Sequence, residues 1–249
     1  MSLARREVVR FLRQRGRVIG ALGTPLVFWI LLGSGLRYAM KGPPGTEGMD
    51  YLVYSFPGIL TLIVLFTAIF AMISIIEDRR EGFLQGVLVA PVSPLAIVAG
   101  KVLGSTILAV GQAMLFMALA PLAGIPLPLA TALAATGVLL IVAVGLSALG
   151  FLIAWPMEST QGFHAVMNLF LMPMWLLSGA FFPPEGASRW VGWVMTFNPL
   201  TYGVSALRAV MNSHSASTGH APILFPLAIS IAFAIVMVAI ASRVVRKLP

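Results

Sequence analysis

The chain has 249 residues, of which 59% are apolar and 10% charged, with a mean hydropathy of +0.98. Soluble domains carry roughly 25% charged residues, so a water-surrounded globular enzyme is excluded, and the length suits one helical membrane domain over 1–249. The formal charge of +8 calls for no nucleic-acid partner: Arg5, Arg6, Arg10, Arg13, Arg15 and Arg17 precede the first apolar run, and Arg243, Arg246 and Lys247 follow the last. Basic residues so placed orient a membrane protein.

Residues 1–17 read as an amphipathic helix lying on the inner leaflet. Ala4, Val8, Phe11 and Leu12 share one helical face, and Arg6, Arg10, Arg13 and Arg17 share the opposite one. A basic tail that only fixes topology is the alternative. An export-signal reading of Arg5-Arg6 is set aside, because the apolar run that follows is too long and further runs succeed it.

Six apolar runs follow: Val18 to Leu36, Pro57 to Ile76, Ile97 to Ala120, Leu127 to Ala154, Phe163 to Phe182 and Pro222 to Ser242. Each can cross about 30 Å of hydrocarbon as a helix, which predicts an all-α polytopic protein with six spans. The distribution of Lys and Arg places both termini in the cytoplasm. Pro121 to Pro128 is a tight outer turn, and Pro156 to Gly162 a tight inner one. Lys101 lies near the inner end of the third run, where it can snorkel, and His164 near the inner end of the fifth. Small-residue pairs such as Gly100 and Gly104 suit close helix packing.

Two connections are more informative than the spans. Residues 77–95 are predicted to form a short cytoplasmic helix that starts at the acidic Glu77 and stops at the prolines Pro91 and Pro94. Its Phe83, Leu84, Val87 and Leu88 make an apolar stripe too short to span and unfavourable in water. The stripe docks either on the protein's own spans or lipid, or on a cytoplasmic partner. Residues 183–221 hold Trp190, Trp193, Phe197 and Tyr202, with Asn198-Pro199 as a break, and are predicted to form paired short helices re-entering the outer leaflet.

Several functions are disfavoured by what the sequence lacks. There is no G-x-x-x-x-G-K-[ST] loop, since Gly100-Lys101 is followed by Val102, so the chain is expected to bind no nucleotide itself. No Asp or Glu falls inside the six runs, which argues against an ion-coupled transporter. A serine hydrolase would need His164 with Ser147 or Ser178, and neither serine stands in a nucleophile-elbow context. With no cysteine, and with His214 and His220 lacking acidic neighbours, a metal site has no support either. A channel or membrane scaffold remains the alternative to an energised transporter.

Three strings, EGFLQGVLVAPVSPLAIVAGK, MPMWLLSGAFFP and NPLTYGVSALR, in that order and at six-span spacing, resemble the membrane subunits of ABC-2-type exporters, including drug-resistance, lipo-oligosaccharide and polysaccharide export permeases. The resemblance covers nearly the whole chain. It implies a dimer of permeases with two separate ATPase subunits, which would hold ATP and Mg, and no cofactor on this chain. It also implies ATPase contacts through the N-terminal helix (Arg6, Arg10, Phe11, Arg13) and through a coupling segment carrying Glu81, Gly82, Phe83, Leu84, Gln85, Val87 and Leu88. The expected setting is a cytoplasmic (inner) membrane, and the expected cargo amphipathic or lipid-like, because the spans lack fixed charge. Thr61, Asn168, Trp175 and Ser178 are the candidate path-lining residues.

Overall fold

A computed structural model describes residues 2–13, 23, 25–31, 51–82, 93–181, 187–211 and 223–246. The described residues are helical throughout, apart from turns. They form α1 (Ser2–Arg13), α2 (25–31), α3 (Tyr51–Phe70), α4 (Ile73–Arg80), α5 (Pro94–Met117), α6 (Leu129–Ala154), α7 (Thr160–Trp175), α8 (Arg189–Phe197), α9 (Pro199–Met211) and α10 (Leu224–Arg246).

Five helical stretches among the described residues are long and apolar enough to cross a membrane: Tyr51–Arg80, Leu95–Leu122, Leu129–Ala154, Thr160–Ala180 and Leu224–Val245. Most of the first predicted span, Val18 to Leu36, lies outside the described residues. Its described part, α2, buries Trp29 edge-on against Phe56 and Phe116.

The first of these stretches, which corresponds to the second predicted run, is longer than predicted. It begins at Tyr51 and runs through α3 and α4 to Arg80, although Pro57 lies inside it. Pro57 removes one amide donor, and its own carbonyl accepts from Thr61 Oγ1 at 2.7 Å. Residues Glu77 to Glu81 therefore close this helix instead of opening a cytoplasmic one, and Gly82, at φ +74, ends it in the left-handed conformation. Acidic side chains at a helix C-terminus oppose the macrodipole and need nearby cations. Residues 83–92 lie outside the described residues, and with them Phe83, Leu84, Gln85, Val87 and Leu88.

α3 is the centre of the bundle, packed by α5 on one side and α6 on another, while α10 packs along α6 and α9 bridges α6 and α10. Tight turns form where the prolines stand. Pro121 sits in a 3-10 turn, Ala120–Ala123, closed by Gly124 at φ +72. Ser159 caps α7 by accepting from the Gly162 amide at 3.3 Å. The bundle thus has a charged end, holding α1, α4 and the start of α5, and an aromatic end, holding α8 and α9.

Two helices, α8 and α9, occupy the predicted outer connection and are divided at Asn198. α8 leaves Trp190, Trp193 and Phe197 exposed.

Candidate functional site

At the charged end, three cationic side chains from α1 and α5 converge on Asp78 of α4. Arg6 of α1 is bidentate to it, with Nη1 3.0 Å from Oδ2 and Nη2 2.8 Å from Oδ1. Arg10, one turn later, donates to Oδ1 at 2.8 Å and pairs with Glu77 and Glu81, each at 3.1 Å. Lys101 of α5 completes the set, with Nζ 2.5 Å from Asp78 Oδ2, 2.7 Å from Glu7 Oε1 and 3.1 Å from Ser74 Oγ.

Burial makes this arrangement consequential. Asp78 is 0% exposed, Lys101 3% and Glu7 6%. An ion removed from water is stable only when paired and hydrogen-bonded, and loss of one partner from a buried pair costs about 3–5 kcal/mol. The hydrogen bond to Asp78 is the main cause holding the Arg6 guanidinium above its ordinary pKa, so the arginine remains charged.

The cluster overturns three expectations. Lys101 does not snorkel to headgroups, because Glu7 and Asp78 reach it inside the protein. A carboxylate does lie within a spanning helix, although Asp78 stands at its charged end and is bonded to three cations, not poised partway across as ion coupling would need. Lastly, Arg6 and Arg10 do not face headgroups. They turn inward, whereas Arg5, Val9 and Arg13 are exposed and Phe11 is buried. Gly104 lets α1 lie directly on α5: a Cβ there would stand 2.8 Å from Glu7 Cβ and 3.2 Å from the Ala4 carbonyl oxygen.

At the aromatic end, α7 stops in a π-turn, Leu176–Ala180, with Leu177 outside helical geometry and Gly179 at φ +78. Such a break strands carbonyls that need donors. Asn198 Nδ2 donates to the carbonyls of Met174 (2.6 Å) and Leu177 (3.1 Å), and Arg208 Nη2 donates to that of Gly179 at 3.1 Å. Hence the strings MPMWLLSGAFFP and NPLTYGVSALR, separate in sequence, join here, the second supplying donors to the broken helix of the first.

The candidate path residues separate into two kinds. Thr61, Trp175 and Ser178 are buried and engaged: Trp175 Nε1 donates to the Gly58 carbonyl at 2.9 Å, and Ser178 Oγ to the Trp175 carbonyl at 2.6 Å. Asn168 is exposed on α7, near the exposed Gln161 and His164, and the His164 ring packs on Phe70 at 5.2 Å. Sequence reading missed Asp78 and Glu7. The signal for both was Lys101, since a lysine in an apolar run requires a carboxylate and few are available.

The profile of the family described as ABC-2 type transporter matches residues 1–212. The chain is 26% identical over 215 residues to a protein of Cyanophora paradoxa named as a transport permease, a match covering 86% of this chain and 73% of that relative. It is 30% identical over 157 residues to proteins of Escherichia coli K12 and O157:H7 named as multidrug ABC transporter permeases, covering 62% of this chain and 42% of each relative. The chain thus aligns with less than half of the E. coli proteins' length.

Proposed function

Because the chain belongs to the ABC-2 type transporter family and is a multi-pass membrane transport subunit, we propose that it is the permease of an ATP-driven exporter in the cytoplasmic membrane. It works with a separate ATPase subunit that holds ATP and Mg, and with a second permease copy. Its charged end and both termini face the cytoplasm. The carrying observation is the Asp78 cluster, which binds α1 and α5 to the end of α4 just before the coupling segment leaves it. A push on that segment is thereby delivered to a stiff, ion-paired assembly rather than to a loose loop.

The exposure of α7 supports a path between two copies. Its span is the least apolar of the five described stretches, whereas α10 is much more apolar and the least buried of them. α10 therefore suits contact with lipid. Asn168 in a lipid-facing position would be costly, and a facing permease copy or a polar path relieves that cost. An amphipathic cargo fits a face on which Asn168 and His164 adjoin Leu169 and Phe170. The test is co-expression with the cognate ATPase, purification of the complex, and ATP-dependent efflux. A complex with ATPase activity and efflux supports the reading, whereas an intact permease that retains no ATPase opposes it.

A further inference from the structure

Three consecutive residues at the end of α4 point to different parts of the molecule. Asp78 holds α1 and α5, as described. Arg79 and Arg80 instead hold the turn between α6 and α7. Arg79 Nη1 donates to the Met157 carbonyl at 3.2 Å, Nη2 donates to the Trp155 carbonyl, and the guanidinium lies 5.4 Å from the centre of the Trp155 ring. Arg80 Nε donates to the Glu158 carbonyl at 3.1 Å.

Trp155 is the C-cap of α6, which ends at Ala154, and Met157 and Glu158 lie in the turn just beyond it, so these carbonyls stand outside the helix's own ladder, and cationic donors near a helix C-terminus are favoured by both hydrogen bonding and the helix dipole. The turn is followed at once by α7, which carries Asn168 and His164. The junction of α4 with α3 is wound more tightly than the α-helix on either side. Between them, Met72 donates to Ile69, Ser74 to Ala71 and Ile75 to Met72, so each bond reaches back three residues instead of four. A tightened stretch of this kind inside a long helix marks a hinge.

We propose that Arg79 and Arg80 are positioning residues that fasten the α6–α7 turn to α4, so that movement of α4 about the Ala71–Met72 hinge is delivered to α7. This rests on the transport reading above and identifies how a cytoplasmic push reaches the helix bearing the exposed polar face. Asp78 and the two arginines divide the load: one side of α4 carries α1 and α5, the other carries α7.

The experiment compares hydrogen exchange in the full chain bound to its ATPase, nucleotide-free and trapped with ATP and vanadate, for the parent, Arg79→Gln/Arg80→Gln and Arg79→Lys/Arg80→Lys. In the parent, residues 73–82 and residues 155–162 should both change exchange between the two states. In the glutamine variant the change at 73–82 should persist and that at 155–162 should be lost. ATP consumed per cargo should rise at least about fivefold, the low end of ordinary coupling between sites. The lysine variant, which keeps charge and donors but not the planar fork, should fall between. A structural role alone would lower stability without separating the two peptides. A parental change at 155–162 in the glutamine variant, or no change there in the parent, overturns the proposal. Should the double variant fail to accumulate, Arg80→Gln alone, an exposed residue with a single bond to the turn, must reduce the 155–162 change, and an undiminished change has the same overturning force. A parent that binds no ATPase overturns the transport reading itself and this proposal with it, and is recognised before any exchange is measured.

Discussion

Lys101 Nζ stands 2.7 Å from Glu7 Oε1, and both residues are almost wholly buried, so the N-terminal helix is fastened to α5 by a buried ion pair. Lys101→Met leaves Glu7 without its closest cation and should destabilise the detergent-solubilised protein by about 3 kcal/mol or more. Adding Glu7→Gln should recover part of the loss. Thermal melting of the two single variants and the pair gives the coupling directly, and strictly additive losses would show that the two side chains are independent.

Gly104→Val tests the same contact without touching charge. Its Cβ would stand 2.8 Å from Glu7 Cβ and 3.2 Å from the Ala4 carbonyl oxygen, so α1 must move off α5. Overpacking of this kind costs about 1–3 kcal/mol. Because the chain has no native cysteine, a disulfide engineered between α1 and α5 is free of competing thiols. It should form in the parent and fail in the valine variant. Equal formation in both would mean that α1 does not depend on this approach.

Asn198→Asp removes the donor that serves Met174 and Leu177 while keeping nearly the same shape. Two stranded carbonyls and an added carboxylate should lower stability by about 1–3 kcal/mol. Hydrogen exchange should rise in the π-turn but not at the start of α9, where the Leu200 amide donates at 3.0 Å to Asn198 Oδ1, an acceptor that aspartate keeps. Unchanged exchange in the π-turn would show that the break is held by other groups.

The bundle was legible in the sequence because burial in lipid and burial in protein both require apolar residues. Four of the six predicted runs correspond to spanning stretches with ends shifted by a few residues, and the second extends further at both ends. The error at Glu77 had a physical origin. Acidic residues signal a helix start only when no cation from elsewhere neutralises them, and Arg6 and Arg10 are separated from Asp78 by most of two elements. Likewise, Asn198 read as a breaker on local grounds, but its role as donor to α7 exists only after the helices meet. Thr61, Trp175 and Ser178 stood out in the sequence as polar or aromatic groups within spans, but their bonds to backbone carbonyls in the core exist only once the helices have formed and met.

Phe83→Ala and Glu81→Lys test the coupling segment. If the apolar stripe fills a cleft on the ATPase, loss of an aromatic anchor should weaken binding by about 2 kcal/mol or more. Glu81→Lys reverses a charge that pairs with Arg10 and should loosen the charged end as well. Pulldown of the ATPase and efflux are the readouts, with membrane abundance as control. Parental behaviour in both variants would reduce the segment to a linker.

Topology is read by labelling single cysteines placed near residue 5 and near residue 246 in intact cells with a membrane-impermeant reagent. Both should be protected until the membrane is opened. A terminus labelled from outside would put the charged end on the wrong side for an ATPase.

The most direct measurement of the central claim is ATP hydrolysis and cargo efflux by the reconstituted permease, with and without its ATPase subunit. The account predicts that the permease alone hydrolyses no ATP and moves no cargo, and that the complex does both, with efflux stopping when ATP is withheld. ATP hydrolysis by the rigorously isolated permease, or cargo movement that proceeds undiminished without the ATPase, would contradict it.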